Sequence, residues 1–523
     1  MKMAVKHKVV RLRSCFTDGV AATYSDIEIS LSPGIPTFDI IGLCDSSIRE
    51  SRGRIQSAIR SLGHPMPKGH ITVNITPAYM HKSGSGFDLP IALGILFLEG
   101  ILPYDPNKVI YAQGEMSLGG DIKTTPGSII RLMEAARHVN DIVLIPHDEI
   151  KAAECSGIKC MPVKTLKEVC DIFAVGAYQG EKFSLDLSRR SPGRRLHTMG
   201  ELRGQPKAES AITIACAGMH SLLLLGSPGS GKSFAAELIE GLLPPADEYE
   251  ISQYLALKEL IGPEAVSHGA YGSEGRPFRK IYSNCTSAQL NGKAGSLIPG
   301  ELALANNGVL FADEICDFNA KIIDELKGPL EEHAVHLNKD GKIITVPASF
   351  LFVAAGNPCR CGMYYEKPGK CKCTQTMRRN YIGRLSGAFL DRIDIFTEMR
   401  SIDKKSLMDL EMNSLIEDDH ADMYAREMIW DAWQIQKQRY GWYEGKKKMF
   451  NGTCECVSPE SFDYDSSVSS FASEAAKMAG LSARGYLKLM RVARTIADME
   501  RSVKMTEEHV KRALVFKVQE NVI

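Results

Sequence analysis

Residues Gly226, Ser227, Pro228, Gly229, Ser230, Gly231, Lys232 and Ser233 spell G-x-x-x-x-G-K-S. Such a stretch can bind phosphate. Glycines let successive backbone N–H groups point inward at phosphate oxygens, the lysine reaches the outer phosphates, and the serine hydroxyl can ligate Mg²⁺. Four leucines, Leu222–Leu225, precede it and predict a buried parallel strand. Phe234–Leu243 follows with a helical pattern, and the dipole at its N-terminus also favours anions. The competing reading is a chance glycine-rich turn; a strand before and a helix after argue against it. About 80 residues on, GVLFADE (308–314) is a second apolar run, tipped by Asp313 and Glu314. Asp313 would complete a Mg²⁺ shell with Ser233, and Glu314 would orient or activate an attacking water. A third run, Phe350–Gly356, ends at Asn357, whose amide could position that water.

Directly after Asn357 come Cys359, Cys361, Cys371 and Cys373, two C-x-C pairs nine residues apart. Four thiolates on a short loop suit a closed, structural Zn²⁺ site, which orders itself without a large core. Free thiols are the plain alternative, and an iron–sulfur cluster fits the C-x-C spacing less well. A third pair, Cys454 and Cys456, has no matching pair nearby, so no metal is expected there. Lys370, Lys372, Arg378 and Arg379 surround the loop, which could also grip phosphates.

Further cations stand at places where they could act. Ala334–Pro347 alternates on both sides of Asp340-Gly341, a favoured two-residue turn, and predicts a β-hairpin with Lys339 and Lys342 at its tip. It is either an ordinary surface hairpin or a loop that touches a DNA backbone in a ring's pore. Arg392, in LDRID, could reach the γ-phosphate of a neighbouring subunit; an ion pair with Asp391 or Asp394 is the alternative. Arg484 opens the helical stretch 481–500 and is a candidate for closing over the nucleotide, while Leu487, Met490 and Ala493 give that helix its core face. Lysines beside Trp442, Tyr443 and Phe450 could bind single-stranded nucleic acid, but a surface loop beside a small core is the stronger reading.

The elements that hold these residues divide the 523-residue chain into several domains. Residues 1–178 mix strand-like runs (21–30, 71–75, 142–145) with helical ones (46–62, 89–98), an α/β or α+β domain. Residues 179–205 read as a linker whose basic SRRSPGRR (188–195) is a flexible connection or, less readily, a phosphate contact. Residues 206–397 form the phosphate-binding core and 398–523 a mostly helical domain. The arginines of the 42–63 helical stretch read as a solvated face. Lys+Arg and Asp+Glu are both 63, so no overall field attracts nucleic acid and any such binding must be local. The longest apolar run, 91–102, contains Glu99 and is too short to span a membrane. The basic N-terminus lacks the apolar core of a signal peptide, so a cytoplasmic protein with reduced thiols is expected.

Two resemblances sharpen this. HKSGSGFDLPIALGIL (81–96) and residues 114–146 resemble the proteolytic domain of Lon proteases, a family with a serine nucleophile and a lysine. The serine position falls on Gly86 and the lysine position near Ile129; Ser83, Ser85, Lys82 and Lys123 are out of register. Without an activated nucleophile and a base there is no acyl transfer, so the expectation is a protease-like scaffold without proteolysis. Nearly the whole chain resembles the ComM (YifB) family of magnesium-chelatase-like AAA+ ATPases, through RESRGRIQSAIRSLG, FDLPIALGIL, GMHSLLLLGSPGSGKS, PGELALANNGVLFADEI, NPCRCG with CKC, LSGAFLDRID and LSARGYLKLMRVARTIADM. It departs at Ser227, Ala312, Ala388, Phe516 and Lys517. The resemblance implies a Lon-protease-like α/β N-terminal domain, an AAA+ core and a helical lid, assembled as a hexameric ring. It implies ATP-driven movement on DNA and branch migration during recombination of incoming DNA in transformation. It makes Lys232 and Ser233 the ATP and Mg²⁺ ligands, and Asp313 and Glu314 the hydrolytic pair. Asn357 becomes the first sensor, Arg392 the arginine finger, Arg484 the second sensor and the Lys339–Lys342 hairpin the pore loop. An ATPase subunit of a metal-chelatase complex and a nucleotide-switched scaffold are the alternatives.

Overall fold

The computed structural model describes residues 9–18, 20–43, 45–80, 82, 84–139, 141–185, 197–202, 204–262, 276–293, 295, 298–339, 342–366, 369–401, 414–442 and 448–517. The basic linker 188–195, Ser83, the Asp340-Gly341 turn, Tyr443, Lys446 and Lys447 lie outside them, as do the side chains of Lys339 and Lys342. The chain forms two compact units. The first contains residues 1–187 together with 248–271 and 296–298; the second contains 188–247, 272–295 and 299–523.

The first unit is built on an eight-stranded mixed sheet. Its order is Glu181–Lys182, Lys159–Val163, Ile142–Pro146, Ile110–Ala112, Val9–Asp18, Ala21–Ser32, His70–Ile75 and Thr37–Ile41. Ala21–Ser32 buries Ser25, Ile27 and Ile29, the alternation that one covered sheet face requires. The covering element is the helix Asp88–Leu98, every residue of which is buried. Gly94 lets it approach closely, since a Cβ there would stand 2.1 Å from Ile29 Cδ1. The arginine-bearing helix Ser46–Ser61 is only partly a solvated face: Arg54 reaches inward to buried Asp88. A sequence-distant helix, Glu248–Ile261, belongs to this unit as well. Its Leu255 and Ala256 join a core with Ile129, Val143 and Ile145. Its Glu259 accepts the backbone N–H groups of Ser128 and Ile129 at 2.8 and 3.0 Å, capping the helix Ser128–Ala135.

In the second unit a five-stranded parallel sheet runs in the order Phe278–Ile281, Val309–Ala312, Leu351–Gly356, Leu222–Gly226 and Ile395–Met399. The runs LLLLG, VLFA and LFVAAG are buried at every position, as parallel strands covered on both faces must be. The C-terminal part is helical: Ser414–Tyr440, Ser466–Met478, Ala483–Met499 and Glu507–Leu514 are its longer elements. Leu489, Met490, Val492, Ala493 and Ile496 of Ala483–Met499 share one core with Leu222 and Leu224 of the sheet. Arg494 of that helix is fully buried and bonded to Asp498 and to the carbonyls of Phe462, Val503 and Ser502, so it braces the fold. Trp442, Phe450 and Trp433 meet edge-on or tilted with ring centroids 4.6–5.9 Å apart, Phe450 and Trp433 within the core and Trp442 packed against it. Among the described residues no helix is long and apolar enough to cross a membrane.

Candidate nucleotide site and cysteine centre

Leu222–Gly226 lies between the strand Leu351–Gly356, which leads into Asn357, and the strand Ile395–Met399. Its loop turns at Gly229 (φ +76°) and Gly231 (φ +87°), left-handed conformations that glycine adopts without strain. Gly231 is the N-cap of the helix Lys232–Leu242, so the free backbone N–H groups of its first turn face the loop. A Cβ on Gly226 would stand 2.5 Å from Met399 O, which fixes glycine there. The Ser230 hydroxyl is buried without a protein partner.

Three strand ends bring the polar groups together. Lys232 Nζ donates to Gly226 O at 2.8 Å, Ser227 O at 2.9 Å and Asn357 Oδ1 at 3.3 Å. Ser233 Oγ donates to Asp313 Oδ2 at 3.2 Å. Burial pushes the Lys232 ammonium below the usual lysine range, and Asp313 and Glu314 oppose that shift. Glu314 is exposed and holds a left-handed φ of +56°, a conformation that costs a non-glycine residue energy. The chemistry available is that of a triphosphate site. Amides and an ammonium are there for phosphates, a hydroxyl and carboxylate for a hard cation, and an exposed carboxylate and an amide for water.

Sequence reasoning missed Lys280. Its Nζ lies 3.0 Å from Asp313 Oδ2, across the pairing of Lys280 with Phe311. The one available signal was a lysine inside a strand-like FRKI.

Arg392 and Arg484 gather elsewhere in the unit. Arg392 donates to Lys327 O (2.9 Å), Ala388 O (2.6 Å) and Glu331 Oε2 (2.6 Å). Arg484 Nη2 lies 3.0 Å from Glu331 Oε1. Both line a 360 Å³ cleft with Ser221, Glu331, Lys488 and Arg491. Among the described residues no hydrogen bond or ion pair joins either arginine to Lys232, Asp313 or Asn357. The acid that pairs with Arg392 is Glu331, not Asp391 or Asp394. Asp394 is committed to His220 at 3.1 Å and Lys488 at 2.8 Å. Lys517 donates to its backbone carbonyl at 2.9 Å. The hairpin strands Ala334–Lys339 and Lys342–Pro347 pair in register, Lys339 opposite Lys342, with Val335, Leu337 and Val346 buried.

The four cysteine sulfurs lie within 4.8 Å of one another. Cys359 is 3.4 Å from Cys361 and 3.8 Å from Cys371, and Cys361 is 3.7 Å from Cys371. A tetrahedral zinc with bonds of about 2.3 Å sets its sulfurs about 3.8 Å apart, so the donor set fits the ion.

In the first unit, Lys82 is fully buried and donates to the carbonyls of Gly42 (3.0 Å), Pro77 (2.5 Å) and Met80 (3.0 Å). Ser85 bonds Glu115, and the N–H of Ile129 is taken by Glu259.

Family models match in three stretches: "Magnesium chelatase, subunit ChlI" over residues 198–407, "Subunit ChlI of Mg-chelatase" over 27–149 and "Magnesium chelatase, subunit ChlI C-terminal" over 419–517. The protein YifB of Escherichia coli K12 is 31% identical over 506 residues, covering 95% of each chain. The competence protein ComM of Haemophilus influenzae Rd is 30% identical over 505 residues, again 95% of each. The magnesium-chelatase 38 kDa subunit of Cereibacter sphaeroides is 26% identical over 166 residues, 29% of this chain and 50% of that protein. Likeness along the full length to YifB and ComM, together with the three chelatase-type segments, means that this chain belongs to the ComM/YifB family of magnesium-chelatase-like proteins.

Proposed function

We propose that the protein is an ATP-hydrolysing AAA+ motor that assembles into a ring, a hexamer by family resemblance, and drives branch migration or unwinding of DNA. One observation carries the ATPase reading: Lys232, Asn357, Ser233 and Asp313 converge from three strand ends in a sheet of the right connectivity. Phosphate would take the Lys232 contacts now made by Gly226 O and Ser227 O. Ser233 and Asp313 would hold Mg²⁺, which when bound neutralises phosphate charge. Asp313 would leave Lys280 to do so. Glu314, exposed at its strained turn, orients the attacking water with Asn357. Arg392 serves a neighbouring subunit's nucleotide as the arginine finger and Arg484 closes over the nucleotide as the second sensor; both bond to Glu331, and among the described residues neither is bonded to Lys232, Asp313 or Asn357.

The DNA reading rests on the hairpin and on likeness to a protein named for competence. The first unit serves as a Lon-protease-like scaffold without proteolysis: Gly86 stands at the nucleophile position and Lys82 is enclosed by carbonyls. The compartment we assign is the cytoplasm. The chelatase-type family models favour a second reading, an ATPase that drives metal insertion through partner proteins.

ATP hydrolysis measured with and without single-stranded and branched DNA separates them, with Lys232→Ala as control. Several-fold stimulation supports the motor; robust turnover indifferent to DNA supports the partner-driven reading. For the motor, Lys339→Ala with Lys342→Ala weakens DNA binding and flattens its salt dependence by about one unit of slope per lost phosphate contact. An unchanged slope removes the hairpin from the DNA path.

A further inference from the structure

The cysteine loop does not stand apart from the phosphate loop. Gly362, one residue beyond Cys361, takes φ +76°, and a Cβ there would stand 2.4 Å from Pro228 Cδ and 2.8 Å from Pro228 Cγ. Pro228 is the third residue of GSPGSGKS. The backbone of the cysteine loop therefore packs directly on the ring of a residue in the glycine-rich loop. A second contact comes from Glu366, whose side chain is 7% exposed. It accepts the Ser401 N–H at 3.1 Å and the Ser401 hydroxyl at 2.6 Å, just past the strand Ile395–Met399 that flanks the phosphate-loop strand. The Ser401 hydroxyl and then that of Ser227 hold the Glu366 carboxyl down at about 2, although the Ser227 hydroxyl closes no full hydrogen bond. A third link is covalent: Cys359 follows Asn357 by two residues, and Asn357 accepts from Lys232.

We propose that the loop 359–373 is the outer wall of the nucleotide site, with Gly362 and Glu366 as positioning residues for the phosphate loop, so that metal in the cysteine centre and nucleotide on Lys232 stabilise each other. This rests on the nucleotide-site reading given above. The physical reason is order. Among the described residues the loop has no regular secondary structure between Cys359 and Cys373. Four sulfurs whose spacing suits a shared ion gather its two ends. An ordered loop presents Gly362 to Pro228 and Glu366 to Ser401; a loop without its ion presents neither in a fixed place. Coupling between two binding sites is reciprocal, so nucleotide must retain metal by the same factor by which metal tightens nucleotide.

The experiment uses the full-length protein purified with zinc. Metal content is measured first, and less than about half an equivalent overturns the proposal. Zinc release to a chromogenic chelator is then followed with and without saturating Mg²⁺ and a non-hydrolysable ATP analogue, and nucleotide affinity is measured before and after stripping. The expected results are about fivefold slower release with nucleotide and about fivefold weaker nucleotide binding after stripping, the lower end of ordinary coupling between sites. Equal release rates with nucleotide demonstrably bound overturn the coupling and leave the nucleotide site standing. No nucleotide binding by zinc-loaded native protein overturns the nucleotide-site reading itself. Gly362→Ala adds a direct test of the wall: it should keep its zinc and bind nucleotide at least fivefold more weakly. A variant that keeps both zinc and affinity shows that the contact on Pro228 carries no coupling. Should it lose zinc, Glu366→Gln replaces it, with the same two readouts and the same reading of each result.

Discussion

Each unit has a glycine- and serine-rich loop with a lysine, KSGSG (82–86) in the first and GSPGSGKS (226–233) in the second, and the two lysines have opposite fates. Lys82 is fully buried, and three carbonyls surround its ammonium. Lys232 touches two carbonyls of its own loop, yet it is only half-buried, meets Asn357 and feels Asp313 and Glu314. A lysine saturated by carbonyls is a brace, since leaving any of those groups unpaired costs more than the bond yields. One whose carbonyl partners sit on a loop rich in backbone donors can exchange them for phosphate. The G-x-x-x-x-G-K-S spacing marks Lys232 alone; the neighbours supply the physical reason that Lys82 differs.

Lys232→Ala probes the sharper half of that contrast. ATP turnover should fall by about 100-fold or more, the scale for losing a charged group at a transferring phosphoryl. Thermal stability should change by less than about 1 kcal/mol, because the lost contacts are to a loop. Turnover measured beside a melting curve decides it; large destabilisation would make Lys232 a brace like its counterpart.

Lys82→Met should do the reverse. It keeps the stem and removes the ammonium that the carbonyls of Gly42, Pro77 and Met80 share. The first unit should lose about 2–4 kcal/mol, seen as earlier unfolding and faster limited proteolysis, while nucleotide affinity stays unchanged. A variant with native stability would show that the enclosed ammonium contributes nothing.

Glu149 extends the comparison to the rest of the first unit's polar interior. It is buried, accepts from Gln113 and from Thr124 Oγ1 at 3.0 Å, and lies 3.7 Å from Arg131. Burial pushes its carboxyl from 4.5 up to about 7, against the pull of Arg131. The folded state therefore binds more protons than the unfolded state between about pH 4.5 and 7. Stability must fall as pH rises through that window and stay lower above it. Glu149→Gln cannot titrate, so its stability relative to the native protein should rise by at most about 3–4 kcal/mol between about pH 4.5 and 8. Melting curves across that range would show it. A difference that does not vary with pH would mean that Arg131 keeps the carboxylate ionised throughout.

What was legible in the sequence follows from the range of the interactions. LLLLGSPGSGKS and VLFADE declare buried strands ending in polar turns within a dozen residues, and the sheet places them as such. The two C-x-C pairs are a local signal too, and their sulfurs meet at metal-like spacing. The contacts that join distant segments left little trace. Gly362 reads as a loop glycine until Pro228 is found against it. Glu248–Ile261 looks like one more helix of the phosphate-binding core, and only tertiary packing assigns Leu255, Ala256 and Glu259 to the first unit. The sequence offers Asp391 and Asp394 as partners for Arg392. Asp394 is instead spent on His220 and Lys488, and the actual partner stands 61 residues away.

That partner, Glu331, gives the second unit an internal version of the same contrast. Arg392 has two backbone carbonyls besides Glu331, whereas the ion pair described for Arg484 is with Glu331, and its side chain is 58% exposed. Glu331 thus sets two guanidiniums in one place, with Arg484 the more dependent. Removing its charge by Glu331→Gln should scarcely alter stability, since exposed ion pairs contribute about 0–1 kcal/mol. It should lower kcat of the assembled protein by about three- to tenfold while KM and nucleotide affinity stay within about twofold, the pattern of an interaction made chiefly in the transition state. Mixing the variant with Lys232→Ala subunits locates the defect. If Arg392 serves a neighbour's nucleotide, turnover in mixed rings depends on which subunit stands beside which. If kcat instead rises in Glu331→Gln, the carboxylate restrains the arginines rather than aligning them. If kcat does not move, their meeting at Glu331 has no part in hydrolysis.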